Sequence, residues 1–336
     1  MLKRYLNLDF IRFFSAIIII VFHLLHYNLP DVFKNALTIS IESTNKTYIF
    51  VEIFLMIAGF FLYKSSKKTS IGKYCISRFL RIYPTFLFYN LVIITLNTYF
   101  LRHFFDNILL LSCTPLSSFC TGIIWFVVPF FWASILLFCI IKIFPKINTY
   151  IILTILILCY SIMIHYSSGY FNYFNNVFSH INFALLRVIG GLCVGIMIGN
   201  FENNIKQIKL PKILLNLTEI SCCFLMFIHS FVRPIFSNDI YCIMIFAVLF
   251  IILIINKSFL SRLINTPTLA KLGKYTYSIY IMQQVSFDIL NKHQIIILNS
   301  PILTIISYTI ITIIIGIITY YITEYPILKI YKQLNK

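Results

Sequence analysis

The chain has 336 residues, 60% hydrophobic and 11% charged, with a mean hydropathy of +0.91 and a formal net charge of +17. A soluble domain of this size needs a polar exterior that this composition lacks, so a soluble enzyme is excluded. In a soluble protein such a charge would point to nucleic acid; here it belongs to basic loops on one side of a membrane, and no nucleic-acid partner is expected.

Hydropathy predicts ten spans, each near the roughly 20 residues a bilayer requires: 10–29, 48–64, 82–101, 122–142, 148–165, 181–200, 213–232, 239–256, 272–291 and 301–323. The expected fold is an all-α integral membrane bundle, residues 1–336 forming one transmembrane domain with no soluble domain appended. The first span follows Met-Leu-Lys-Arg and lacks a small-residue cleavage site, so it reads as retained. With the N-terminus inside, 21 of the 27 Lys and Arg residues fall on the inner side and five in outer loops, with Arg187 inside a span. That asymmetry predicts both termini in the cytoplasm.

Arg12 and His23 stand eleven residues apart within the first span. Eleven helical steps come within about 20° of three full turns and rise roughly 16 Å, so both side chains share a face. His26 continues the stripe and Asp9 precedes it. Ionisable groups in lipid are expensive and face a bundle interior or an aqueous cavity, so this stripe suggests chemistry inside the membrane. In the second span, Glu52 lies at a depth similar to His23. One reading makes it the carboxylate that orients the imidazole and leaves the other ring nitrogen as a base for a hydroxyl proton. The other makes it a buried carboxylate paired with a different donor.

KSSKKTSIGKYCISRFLRIYP opens the third span, with Arg78 and Arg81 three apart on one face. Pro84 fits the first turn of a helix, and two guanidiniums beside a helix N-terminus make a phosphate site. An ordinary basic inner loop is the plainer reading; it accounts for the lysines better than for the paired arginines. Further along, Trp125 either packs or lines an acceptor path. Arg187 binds a sugar or an oxyanion, or snorkels to the outer interface. Glu219 reads as a hydrogen-bonded buried group, and Tyr280 joins Trp125, Arg187 and His26 as candidate supporting or acceptor-facing residues. His165, His180, His229 and His293 fall near outer span ends without metal-ligand spacing, so no metal site is expected. Most of the nine cysteines act as small apolar residues. Cys113 and Cys120, in or beside an outer loop, are a candidate disulfide in an oxidising compartment.

Taken together, LDFIRFFSAIIIIVFH, VEIFLMIAGFFL, SRFLRIYP, IIWFVVPFF, LLRVIGGLCVGIMIG, LGKYTYSIYIMQQ and TEYPILK resemble, in order, the motifs of the acyltransferase-3 family of polytopic membrane acyltransferases. The resemblance implies transfer of an acyl group, commonly acetyl from acetyl-CoA, to a surface glycan such as O-antigen or capsule at the bacterial inner membrane. It implies His23 as catalytic base with Arg12 its motif partner, and Arg78 and Arg81 as ligands of the acyl-CoA phosphates. Acyl-CoA is then a co-substrate, with no bound cofactor; the other partners are a surface glycan or lipid-linked oligosaccharide and membrane lipid. Three positions depart from the family pattern. Ala58 replaces the Ser of Ser-Gly-Phe, Glu52 stands where Asp is usual, and Gln283 replaces a His that often ends the penultimate-helix motif. A transporter or flippase of a lipid-linked glycan is the rival reading. It too needs intramembrane charge, but it needs no acyl donor. Acceptor sugar, acyl group and oligomeric state are not legible at this level.

Overall fold

The computed structural model describes residues 5–25, 46–117, 122–172, 177–178, 181–292 and 301–334. Ten helices carry the architecture: α1 Leu6–His23, α2 Phe50–Ser66, α3 Ile71–Leu96, α4 Ile124–Ile143, α5 Asn148–Ser167, α6 Phe183–Asn200, α7 Lys212–Phe227, α8 Ile240–Ile255, α9 Thr276–Lys292 and α10 Pro301–Ile322. A short helix, α11 Glu324–Leu334, follows. Among the described residues the strands are a single antiparallel pair, Val177–Phe178 with Ile181–Asn182.

Every predicted span coincides with a helix, but eight rather than ten of the described helices are long and apolar enough to cross a membrane. The exceptions are α8, with 16 residues, and α9, with 17. A bilayer core of about 30 Å needs about 20 helical residues, and α8 falls short of that. The reason for α9 is its place in the bundle. Ile279, Ile281, Gln283, Val285, Ser286 and Phe287 are all buried, so protein rather than lipid surrounds it and its polar residues meet no hydrocarbon.

The tightest seam joins α2 to α6. A Cβ on Gly195 would collide with the Met56 carbonyl, and one on Gly59 with the Leu192 carbonyl. Lipid tails are as apolar as leucine, so helices in a membrane gain from backbone approach and dispersion contact; small residues permit both. Leu55, Met56, Phe60, Val188, Leu192 and Ile196 fill the seam on either side of the glycines.

The third helix departs from expectation. It begins at Ile71 with Ser70 before it, and Pro84 lies in its interior rather than its first turn. Arg78 and Arg81 therefore sit well inside the helix, where backbone N–H groups are already bonded. The helix-terminus argument for a phosphate site does not hold, and the two guanidiniums must act by their own charge.

Both described ends of the chain lie at one end of the bundle. Gly273, just ahead of α9, packs on the Asp9 carbonyl. The Tyr277 hydroxyl donates to the Ile82 carbonyl at 2.7 Å, and Thr85 bonds Thr323 at 2.7 Å. Lys64, Arg78, Arg81, Lys206 and Lys274 belong to this basal end. The first turns of α2, α4 and α6 form the opposite, distal end.

Candidate active site

His23 closes the last turn of α1 near the distal end and meets α9. Its Nδ1 lies 3.0 Å from Oε1 of Gln283, whose side chain is buried. An amide oxygen accepts, so Nδ1 carries the proton and the lone pair resides on Nε2. The neighbouring Phe22 ring packs against Tyr48, centroids 5.8 Å apart, which holds this end of α1 to the start of α2.

Glu52 does not orient His23. Its Oε1 accepts from Nε of Arg187 at 2.6 Å, and the Tyr160 hydroxyl donates to its Oε2 at 3.4 Å. The remaining guanidinium nitrogens of Arg187 donate to the carbonyls of Phe171 and Tyr48, each at 3.0 Å. The Trp125 ring lies 5.1 Å from the guanidinium. Arg187 is 1% exposed and Glu52 0% exposed, which excludes snorkelling to the interface. The α2–α6 seam explains the pairing: Gly191 lets the Leu55 side chain and Oε2 of Glu52 approach α6 directly, so Glu52 is aimed at Arg187 one turn earlier. Trp125 is buried against Arg187 and Phe126, and the Tyr280 ring meets Phe126 at 5.2 Å. The outer ring of expected residues thus converges, except His26, which lies outside the described residues.

The basal end separates the two arginines of α3. Arg78 donates from Nε to Oγ of Ser134 at 3.0 Å and lies over the Phe130 ring at 4.7 Å, facing α4. Arg81 is exposed and acts electrostatically on Tyr277 and Glu324, facing α9 and the end of α10. Arg12 pairs with Asp9 and lies over Phe61 at 5.7 Å, so it belongs to this end and not to the His23 neighbourhood.

A second basal cluster was not anticipated. Glu202 accepts from Tyr5, Lys206 and Lys64, tying the start of α1 to the ends of α2 and α6. Burial opposes the charge on Glu202, but hydrogen bonds from Lys206, Tyr5 and Lys64 outweigh it and hold the carboxyl down at about 2. Because that value lies below the unfolded carboxylate range, the cluster stabilises the fold above about pH 4.5 and loses its contribution as pH falls toward 2. Thermal unfolding in detergent should therefore show wild type above Glu202→Gln at pH 7, with the gap narrowing below pH 5. A gap that stays constant down to pH 3 would refute the assignment.

Glu219 is structural: it accepts from Oγ of Ser258 and from the backbone N–H groups of Leu260 and Ser261, at 2.8, 3.0 and 3.1 Å. His229 is buried and accepts from the N–H groups of Ile235 and Phe236. His180 and His293 lie outside the described residues. Among the described residues no group of three His, Cys, Asp or Glu side chains is placed to hold a metal. Cys113 is disulfide-bonded, while Cys120 lies outside the described residues.

Sequence reasoning missed Tyr48, Tyr160, Tyr89 and Asp288. Asp288 carried a readable signal, an acid inside a predicted span. The tyrosines did not, since 22 of them occur in the chain.

A family model described as an acyltransferase domain matches residues 5–321. No curated protein and no solved structure matches the chain.

Proposed function

The chain belongs to the acyltransferase-3 family, as a multi-pass membrane acyltransferase, and on that premise we propose that it carries an acyl group, acetyl by family resemblance, from cytoplasmic acyl-CoA to a glycan hydroxyl. The glycan is extracytoplasmic or lipid-linked, of the O-antigen or capsule type, and the membrane is the bacterial inner one. The observation that carries this reading is the pairing of His23 with Gln283 at the distal end, opposite the basic cluster at the basal end.

A neutral amide orients the imidazole without adding charge. Nε2 takes the proton of the acceptor hydroxyl, its oxygen attacks the thioester carbonyl, and the CoA thiolate leaves with a proton. Transfer through an acyl-histidine uses the same atoms in two steps. Arg81 and Arg78 hold the phosphates of the donor at the basal end, and the rise of roughly 16 Å from Arg12 to His23 is spanned by the flexible arm of the coenzyme. The bonded Cys113 supports a distal end that faces an oxidising compartment, and with it cytoplasmic termini.

The test uses inside-out membrane vesicles and radiolabelled acetyl-CoA. Label should appear in glycolipid, and Arg81→Ala should raise the KM for acetyl-CoA roughly tenfold or more, the value of a charge-assisted hydrogen bond. Arg78→Ala should raise it less, because Ser134 and Phe130 already engage that guanidinium. Glycan that fails to reach the surface without the protein, with no label incorporated, would favour the flippase instead.

A further inference from the structure

Four buried polar atoms on α3 and α9 have no hydrogen-bond partner: the hydroxyls of Tyr89 and Tyr280, Nε2 of Gln283 and Oδ2 of Asp288. Tyr89, Tyr280 and Gln283 are 0%, 5% and 1% exposed. They are neighbours, since Tyr89 lies in the electrostatic field of both Asp288 and Tyr280, and Gln283 reaches His23 through its oxygen. Oδ1 of Asp288 accepts from Nε2 of Gln284 at 3.0 Å, which fixes the carboxylate and leaves Oδ2 without a partner. Tyr89 stands in the distal half of α3. Gly122 is exposed, and the Tyr89 hydroxyl lies 4.0 Å from where a Cβ on it would stand.

Unpartnered buried polar groups destabilise a fold, and native interiors hold few of them. Here four lie on the two helices α3 and α9, and one of them belongs to Gln283, which also holds the imidazole. Their chemistry is mixed: the carboxylate oxygen only accepts, the amide nitrogen only donates, and the two phenols do both. A lone hydroxyl or an amine would satisfy part of this set. A ring bearing adjacent hydroxyls, each both donor and acceptor, satisfies all of it.

We propose that Tyr89, Tyr280, Gln283 and Asp288 form the acceptor subsite, gripping a sugar hydroxyl adjacent to the one that His23 deprotonates. Asp288 accepts from that neighbouring hydroxyl and Tyr89 donates to it, so the sugar ring is turned with its reacting oxygen toward Nε2. This assignment rests on the acyl-transfer reading above.

The experiment measures transfer from radiolabelled acetyl-CoA by the full-length protein in detergent, with the butanol-extracted glycolipid of the source strain as acceptor. Tyr89→Phe should raise the KM for glycolipid about tenfold while the KM for acetyl-CoA does not move. Its melting temperature should not fall, because the deleted hydroxyl had no partner. Asp288→Asn should also raise the glycolipid KM. Active wild type with an unchanged glycolipid KM in Tyr89→Phe overturns the subsite, and a lowered melting temperature alongside it assigns the hydroxyl to structure. If wild type transfers no label, the acyl-transfer reading falls and the subsite with it.

Discussion

His23→Ala is expected to remove acylation while leaving the protein at normal membrane levels. A positioned general base contributes about 10²–10⁴-fold to a proton-transfer step, and a nucleophilic role would make the loss larger. His23 is half-buried at the end of α1, so truncating it removes little packing. Gln283→Ala keeps the imidazole but removes the acceptor that holds Nδ1–H, and its loss should be smaller. Mass spectrometry of surface glycan from cells making wild type, His23→Ala or neither measures the effect directly. A mass increment present with wild type and absent from the other two identifies the acyl group. Acylation at the normal rate by His23→Ala would end the proposed mechanism.

Arg187→Ala and Glu52→Ala should each destabilise the fold by about 3–5 kcal/mol, because either change strands an uncompensated charge in the interior. The arginine variant loses more than the ion pair, since the guanidinium also binds the carbonyls of Tyr48 and Phe171. Those two carbonyls belong to the segments entering α2 and following α5, so the distal end should loosen first. Glu52→Leu combined with Arg187→Leu should recover part of the loss, as apolar replacement of a buried pair often does. Melting curves of the two singles and the double variant form a cycle that isolates the coupling. Singles that melt with wild type would mean that the pair holds nothing.

Much of this molecule was legible before folding was considered. The all-helical membrane architecture and the order of its helices followed from apolar runs, since hydrocarbon forces each backbone to satisfy itself, although eight rather than ten of the described helices are long and apolar enough to cross. The intramembrane ionisable residues announced themselves by their cost: His23, Glu52 and Arg187 all prove to be held by named partners. The start of α3 was misjudged because a basic amphipathic segment at the membrane surface carries no hydropathy signal, although its backbone continues as helix into Pro84.

What the sequence determined by itself is depth. Position along a helix converts to height at 1.5 Å per residue, so Glu52 and His23 were rightly set near the same end. What only the tertiary structure decided is which way each helix faces. Rotation about the helix axis comes from packing, here from glycines on α2 and α6 that bring two backbones into contact and turn Glu52 toward Arg187. The same packing delivers Gln283, 260 residues away in the chain, to His23. Pairing is a property of that rotation, and no local pattern in either segment encodes it.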